Sequence, residues 1–404
     1  MIKKRVVYIV TIVLAVVYII LGNRIVTKRS NTIGSSEDTL VNAKVTKILS
    51  VKEEVSEAGS SEEDKDITVE FEAKLTGGKE KGKVVTLCQE IKYPNTENGV
   101  KLKVGDRILA LEVGQNEEGT IWKYVDRERM TAVIILGIIF FALLILFGRW
   151  KGVNTILALC FIVLSIFMVF IPSILAGFNI YFMSILTCVY IVVTTIIIVY
   201  GIDEKSIATA LGCFGGVTVS LILLAIMDSI IHLSGYTSEE SMFLVLLDLD
   251  NPINLKAIIF ASVIIGAIGA IMDISIDISS SLREISYKVQ NPTFSEIFKS
   301  GITIGRDIIA TMSNTLVLAY TGSCLSGVVL TAAYNTSLIN LFNKEAIIIE
   351  ILQALIGSLG LLFTIPLTSI ICGIMYSHRG MKAEIKDITE SIKKKFSKRL
   401  SKFN

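Results

Sequence analysis

The sequence has few histidines and no paired cysteines. Two of its 404 residues are histidine, His232 and His378, which is too few for a histidine-based zinc or copper site. The six cysteines include no CxxC pair, and only Cys88 lies outside the apolar runs, so a disulfide within its own domain is excluded. The motifs HExxH, GxSxG, Walker A and GxGxxG are also missing. We therefore expect no enzymatic activity, no metal or other cofactor, and no ATP-driven pump within this chain.

Charge is also scarce and unevenly distributed. Charged residues make up 19% of the chain, and they concentrate in residues 23–130, in short loops and after residue 376. The remainder consists of continuous apolar runs of about 18–25 residues, the length that a helix needs to cross a bilayer. Because these runs do not alternate, membrane-spanning strands are excluded. The composition thus predicts the lipid bilayer as a partner, and the net charge of +2 gives no indication of nucleic acid.

The apolar runs predict a membrane α-helical bundle of about eight transmembrane helices, with both chain ends on one side. The first run, 6–22, follows basic residues and is either a cleaved signal peptide or an uncleaved anchor. The anchor is favoured because the run is longer than a usual signal core and no small-x-small cleavage site follows it. The other spans are predicted at 131–148, 153–171, 180–200, 206–231, 255–281, 307–332 and 346–375.

Lysine and arginine in the short loops predict the orientation. A cytoplasmic N-terminus places these basic loop residues inside: Arg149, Lys151, Lys205, Arg283, Lys288, Lys299 and Arg306. The loop 232–254 is acidic and would lie outside, and the tail 377–404, with nine Lys or Arg against three Asp or Glu, would lie inside. The predicted domains are a cytoplasmic N-terminus with its anchor helix (1–30), an extracytoplasmic domain (31–128), a seven-helix transmembrane domain (129–376) and a basic cytoplasmic tail (377–404).

The extracytoplasmic domain is predicted to be rich in β-strands. Its segments LVNAKVTKILSV, DITVEFEAKL, KVVTLCQEI, RILALEV and TIWKYV are short, β-branched and partly alternating. Turn residues separate them, such as Gly77-Gly78, Asn98-Gly99 and Gly105-Asp106, and the acidic segment 52–66 reads as a loop. We expect a small domain of five or six strands after the first helix, a barrel or a sandwich, with an OB-like barrel as the leading expectation.

Acidic and small residues share one face of the predicted span 255–281. Gly266, Ala270, Asp273, Asp277 and Glu284 fall on a single helical stripe. A charged group at the centre of a bilayer costs about 2.5–3.5 kcal/mol on insertion scales, so such a face is expected to meet a polar interior. Small residues on it would let a neighbouring helix come close.

The following span carries a second polar face that includes Arg306, Asp307 and Asn314. An inside loop joins the two spans, so they are predicted to be antiparallel neighbours, with Asp277 and Arg306 at similar depth. Asp273 would lie about 6 Å deeper. We therefore predict a polar cluster of Asp273, Asp277, Arg306, Asp307 and Asn314 in the cytoplasmic half of the bundle. It is either a cation- or proton-linked substrate path or a structural ion pair that holds two helices together.

Two segments of the chain resemble the YibE/F-like family of bacterial membrane proteins. The first is MDISIDISSSLREI (272–285) and the second is GRDIIATMSNTLVLAYTGS (305–323). The family shows a Met-Asp segment followed by a Ser-rich helix and Glu-Ile, then Gly-Arg-Asp with Met-x-Asn-Thr-Leu and Ala-Tyr. Asp277 stands where the pattern predicts a small polar residue. The resemblance covers roughly residues 125–375 and implies a membrane fold and a bacterial cytoplasmic membrane location, without an established substrate.

Two functions of different classes remain open at this stage. The polar cluster favours a permease-like secondary transporter of an unknown small solute or ion, in which Asp273 binds a proton or cation, Arg306 and Asp307 form a gating pair, and Asn314 contacts substrate. The alternative is a non-transporting scaffold or sensor, in which the extracytoplasmic domain binds a protein partner or ligand. The size of that domain, generous for a linker, is what favours the alternative.

Overall fold

The computed structural model of the protein describes residues 2–29, 40–55, 65–92, 101–116, 119–237, 239–247, 252–289, 291–333 and 337–400, the last of these as backbone alone from 378 onward. Contacts divide the chain into two compact units, Gly34–Phe147 on the one hand and Met1–Ile33 with Gly148–Asn404 on the other. Parts of three predicted features lie outside the described residues: residues 56–64 of the acidic segment predicted as a loop at 52–66, the turn at Asn98-Gly99, and Asp248 and Asp250 of the acidic outer loop. The described ends of that acidic segment, 52–55 and 65–66, are strand rather than loop, because they continue the pairing of two neighbouring strands.

The first unit contains one antiparallel sheet of five strands in the described residues. They are β1 (Leu40–Val55), β2 (Lys65–Leu75), β3 (Val84–Ile91), β4 (Arg107–Asn116) and β5 (Gly119–Arg127), in the order β3-β2-β1-β4-β5. β2 shows why the segment is extended: Ile67, Val69, Phe71 and Ala73 alternate with polar residues, and all four are buried. A strand points successive side chains to opposite faces, so this alternation creates one apolar face.

The two outer strands of the sheet approach each other. β3 and β5 are in contact, and the turn between β2 and β3 reaches β5, where Glu80 accepts hydrogen bonds from Thr120 and from the indole of Trp122. The sheet is therefore strongly curled around its apolar face. A small antiparallel sheet near the N-terminus is confirmed, and its closure into an OB-like barrel stays a prediction.

Two of the predicted turns occur where their residue types require them. Gly105 has φ 99° and Gly78 has φ 75°, a region that side-chain-bearing residues rarely adopt. Beside Gly105, Asp106 Oδ2 accepts a hydrogen bond of 2.9 Å from the backbone N–H of Lys103. The same carboxylate pairs with Arg127 at 3.2 Å, which fastens the turn to β5.

The remainder of the described chain is almost entirely helical. The helices are α1 (Ile2–Arg29), α2 (Met130–Ser165), α3 (Ile171–Leu175), α4 (Ile180–Tyr200), α5 (Glu204–Ile231), α6 (Glu239–Leu246), α7 (Leu255–Lys288), α8 (Phe294–Ser323), α9 (Leu325–Ala333), α10 (Leu338–Phe342) and α11 (Glu345–Leu400), and a π-helical turn at Ile166–Phe170 joins α2 to α3. Side-chain caps start several of them: Asn179, Asp203 and Asn254 each accept a backbone N–H in the first turn, as helix N-termini require.

Six helical segments of the described residues are long and apolar enough to cross a membrane. They are Val6–Lys28, Met130–Leu175, Ile180–Tyr200, Glu204–Ile231, Leu255–Lys288 and Glu345–Ser377. The predicted spans 131–148 and 153–171 fall within one of these segments, which Arg149 interrupts with non-helical backbone angles. The predicted span 307–332 is divided between α8 and α9. A mostly helical membrane protein is thus supported, and the count of eight stays a prediction.

Helices α5, α7 and α11 pack closely through small residues. Gly212 of α5 lies directly against Ser275 of α7 and Thr368 of α11, and Gly216 lies against Thr364. Buried hydroxyls link the same helices, with Ser275 donating to the carbonyl oxygen of Thr209 at 2.8 Å. The glycines of α5 thus allow helix contacts that a Cβ would prevent, the close packing that small residues favour in membranes.

Candidate functional site

One face of α7 is largely exposed, although α11 reaches it at Ser262 and α8 reaches it at Gly266. The residues of this face, which we call the α7 stripe, are Ser262, Gly266, Gly269, Asp273 and Asp277, and all five are exposed. The opposite faces, including Ile271, Ile274 and Ile278, are fully buried against neighbouring helices. Because successive helical residues turn by about 100°, spacings of three and four place the stripe residues on one side. The two aspartates therefore share an open surface within an apolar helix.

The aspartates lie close to the turn between α4 and α5. Tyr200 lies in the electrostatic field of both carboxylates, and the field of Lys205 reaches Asp277. The ammonium group of Lys205 in turn sits 4.5 Å from the centroid of the Tyr200 ring, a cation–π contact. Within the described chain no ion pair or hydrogen bond is made by the carboxylate of Asp273 or Asp277. The charge of Lys205 thus acts on one of the two carboxylates, that of Asp277.

The polar residues of α8 lie on a separate surface. Gly301 and Gly305 face α11, where they lie directly against Ser369 and Ile365. Arg306, Asp307 and Asn314 are exposed, together with Thr311, on the side of α8 that points away from α11. We call these four residues the α8 face. It makes α8 amphipathic, with a packed apolar side and an open polar side.

The structure brings some of the predicted site residues together and leaves others apart. Asp273 and Asp277 are one helical turn apart on the α7 stripe, as the spacing predicts. α7 and α8 are antiparallel neighbours, since Gly266 meets Tyr320 and Leu282 meets Gly301. Nevertheless, among the described residues, neither Arg306 nor Asp307 forms an ion pair with the α7 aspartates or with one another. The predicted five-residue cluster is therefore two adjacent polar surfaces in this conformation.

A comparison with known families now bears on these surfaces. A family model described as YibE/F-like protein matches residues 136–378. The chain belongs to the YibE/F-like family. The match confirms the resemblance carried by the segments at 272–285 and 305–323. No curated protein and no solved structure matches the chain.

The part of the chain matched to the YibE/F-like family contains all five predicted site residues and every helix from α4 to α10. The five strands, at 40–127, precede it. The family match therefore concerns the helical region and says nothing about the small sheet. It also spans the α4–α5 turn that faces the α7 aspartates.

One ion pair in this YibE/F-like region was not expected from the sequence. Arg283, near the end of α7, bonds to Asp203 at 2.5 Å, although the two residues are 80 positions apart. Burial alone would raise the pKa of Asp203, but hydrogen bonds from Arg283 and from the backbone N–H of Ser206 outweigh it and lower that pKa. Asp203 thereby caps α5 and ties the α4–α5 turn to α7. In the sequence Arg283 indicates only the cytoplasmic side of its loop, and no local pattern identifies Asp203 as its partner.

Polar links also join the opposite ends of these helices. Gln353 of α11 donates to Ser262 of the α7 stripe at 2.9 Å, and Ser323 of α8 donates to Glu350 of α11 at 2.9 Å. Both links hold α7 and α8 to the start of α11. Groups of three or more His, Cys, Asp or Glu side chains that could hold a metal ion are absent among the described residues.

Proposed function

We propose that the chain is a multi-pass protein of the bacterial cytoplasmic membrane that acts as a permease-like secondary transporter of a small solute. Both chain ends would lie in the cytoplasm, and the five strands would form an OB-like barrel outside. The observation that carries the proposal is the pair of carboxylates, Asp273 and Asp277, which have no ion-pair partner in the described chain although they sit within a membrane-length helix. Ionisable residues inside such helices usually mark a solute or proton path.

The geometry supports a path along the α7 stripe and the α8 face. Both are open, and both consist of polar or small residues, which lipid chains would not solvate. An aqueous cleft running between them would satisfy their polar groups. In this arrangement Asp273 binds a proton or cation, Arg306 and Asp307 act as a gate, and Asn314 contacts the solute.

The proposal is tested with proteoliposomes that contain the full chain and a pH-sensitive dye. Vesicles are challenged with panels of amino acids, sugars, organic acids and metal cations, and solute-dependent proton or cation movement is recorded. We expect Asp273→Asn to abolish the movement, because the amide keeps the shape of the side chain and removes its charge and titration. Glu284→Gln is the matched control, since Glu284 is exposed at the end of α7 and, among the described residues, pairs only with Lys288, at 2.8 Å. Equal transport by Asp273→Asn and the control would contradict the proposal.

A second function, as a scaffold or sensor, is favoured by the independent core of the strand unit. Thirteen buried apolar residues, led by Phe71, Leu75 and Ile108, form a cluster within residues 41–110. A segment with its own core can present a rigid surface to a partner. Deleting residues 35–125 distinguishes the two functions, because a transporter should keep its solute movement and a scaffold should lose the protein that co-purifies with the intact chain.

A further inference from the structure

A cavity of about 330 Å³ opens at the end of the bundle that carries Lys151 and Lys205. Its walls are formed by Val7 and Tyr8 of α1, by Asn154 of α2 and by residues 197–202, which include the last turn of α4 and the two residues after it. The volume lies at the lower limit of small-molecule sites, so it suits a headgroup-sized ligand. The cavity is separate from the exposed surfaces of α7 and α8. Tyr200 is near both regions, because it lines the cavity and also lies in the electrostatic field of the α7 aspartates.

The cavity holds two side-chain hydrogen-bond donors that have no partner among the described residues. Tyr8 donates its hydroxyl proton to Asn154 Oδ1 at 3.0 Å, which fixes the orientation of that amide. The two remaining side-chain donors of the lining are the amide nitrogen of Asn154 and the hydroxyl of Tyr200, and neither bonds to any residue that the structure describes. Polar groups in a mostly apolar lining are normally satisfied, so a ligand with acceptor oxygens fits here.

Positive charge lies at the same place. Lys205 packs over the Tyr200 ring, and Lys151 precedes Asn154 by one helical turn, so that its charge acts on Lys205. The acidic groups that also face Lys205 are Asp277 and Asp203, and Asp203 is already bonded to Arg283. An anion in the cavity would offset the positive charge of these two lysines and accept hydrogen bonds from the free donors.

The surroundings favour a lipid over a free anion. Apolar side chains form most of the lining, among them Val7, Ile197 and Ile198, and the adjacent surface of α1 exposes Val6, Ile9 and Val13. A phosphate that enters with acyl chains would place those chains on this apolar surface. In the orientation proposed above, Lys151 and Lys205 lie at the cytoplasmic side, where anionic headgroups attract basic residues.

We propose that this cavity binds the phosphate headgroup of an anionic phospholipid from the cytoplasmic leaflet. The amide of Asn154 and the hydroxyl of Tyr200 donate to phosphate oxygens, and Lys151 and Lys205 neutralise the charge. The lipid then holds α1 against α2 and α4. This site does not depend on whether the protein transports a solute.

The test uses the full chain, purified in detergent and delipidated, with bound lipid counted by native mass spectrometry. Phosphatidylglycerol, phosphatidylcholine and glycerol phosphate are added in separate arms. We expect retention of phosphatidylglycerol over phosphatidylcholine and no binding of glycerol phosphate. Equal retention of both lipids would overturn the anion preference, and tight binding of glycerol phosphate would overturn the lipid as the ligand.

The decisive variant is Asn154→Asp, which is nearly isosteric. Its carboxylate still accepts the hydrogen bond from Tyr8, but it replaces the free donor by a negative charge, and phosphatidylglycerol affinity should fall by about tenfold or more. The affinity of the double variant Lys151→Gln/Lys205→Gln for phosphatidylglycerol should fall by a similar factor. Lys299→Gln is the control, because Lys299 is an exposed lysine of α8 away from the cavity. If Asn154→Asp melts like the wild type and still retains phosphatidylglycerol as the control does, the site is refuted.

Discussion

Substitution of Gly212 by alanine should reveal how tightly α5 packs in the bundle. A Cβ at this position would overlap Oγ1 of Thr368 and lie 2.6 Å from Oγ of Ser275. Overpacking a close contact costs about 1–3 kcal/mol. The hydrogen bond of 3.2 Å between Ser275 and Thr368 would also be displaced, at about 1 kcal/mol. We therefore expect the free energy of unfolding to fall by about 2–4 kcal/mol, measured by thermal or denaturant unfolding in detergent.

The matched control for this prediction is Gly269→Ala. Gly269 lies in the middle of α7, but nothing is within 4 Å of the place where its Cβ would stand. Alanine there should leave the free energy of unfolding unchanged or raise it by roughly 0.5–1 kcal/mol, because alanine has a higher helix propensity than glycine. A Thr368→Ala change should partly rescue Gly212→Ala, since it removes the overlapping oxygen. If Gly212→Ala and Gly269→Ala unfold alike, α5 and α11 are not in the close contact described.

Two further predictions concern charged and reactive side chains. Asp203→Asn should lower the free energy of unfolding by about 2 kcal/mol at neutral pH, a value between those for exposed and for buried ion pairs. The variant should also be cleaved faster by proteases at the α4–α5 turn. Folding lowers the pKa of Asp203, so the stability that its carboxylate contributes is fully present above the pKa of the unfolded state. That stability is lost as the pH falls through the pKa of the folded state. The free energies of unfolding of wild type and variant should therefore converge in acid. Partial burial, and then the charge of Glu70, raises the pKa of the Cys88 thiol, although this side chain is exposed. Because the thiolate is the reactive form, a membrane-impermeant maleimide should label Cys88 in intact cells slowly at pH 7 and faster toward pH 10. Labelling of a Cys88→Ser variant at the same rate, or labelling of wild type only after lysis, would contradict the extracytoplasmic position of the strands.

Much of the secondary structure follows from local patterns in the sequence. Residues 180–200 were predicted to be helical from an unbroken apolar run, and α4 has those bounds. The partial alternation in DITVEFEAKL (66–75) predicts a strand, and β2 forms there. In both cases the pattern is set by neighbours in sequence, and backbone groups in apolar surroundings must bond within the segment or to an adjacent strand.

The candidate site was predictable only in part. The spacing of Asp273 and Asp277 fixed their common face, because the helical period is a local property. It did not reveal that Tyr200 and Lys205, from another turn of the chain, would be their neighbours. The spacing also does not show that Arg306 and Asp307 lie on the exposed side of α8. That depends on the rotation of α8 about its axis, which places Gly301 and Gly305 against α11.

The sequence by itself therefore determined the membrane class, the presence of a small sheet near the N-terminus, the family and the residues that share each helical face. Only the tertiary structure decided which faces are covered and which charges meet, as in the contact of Asp203 with Arg283. The physical reason is that periodicity acts within a helix of known pitch. A contact between helices depends instead on their crossing and rotation, which small residues such as Gly212 permit but do not specify.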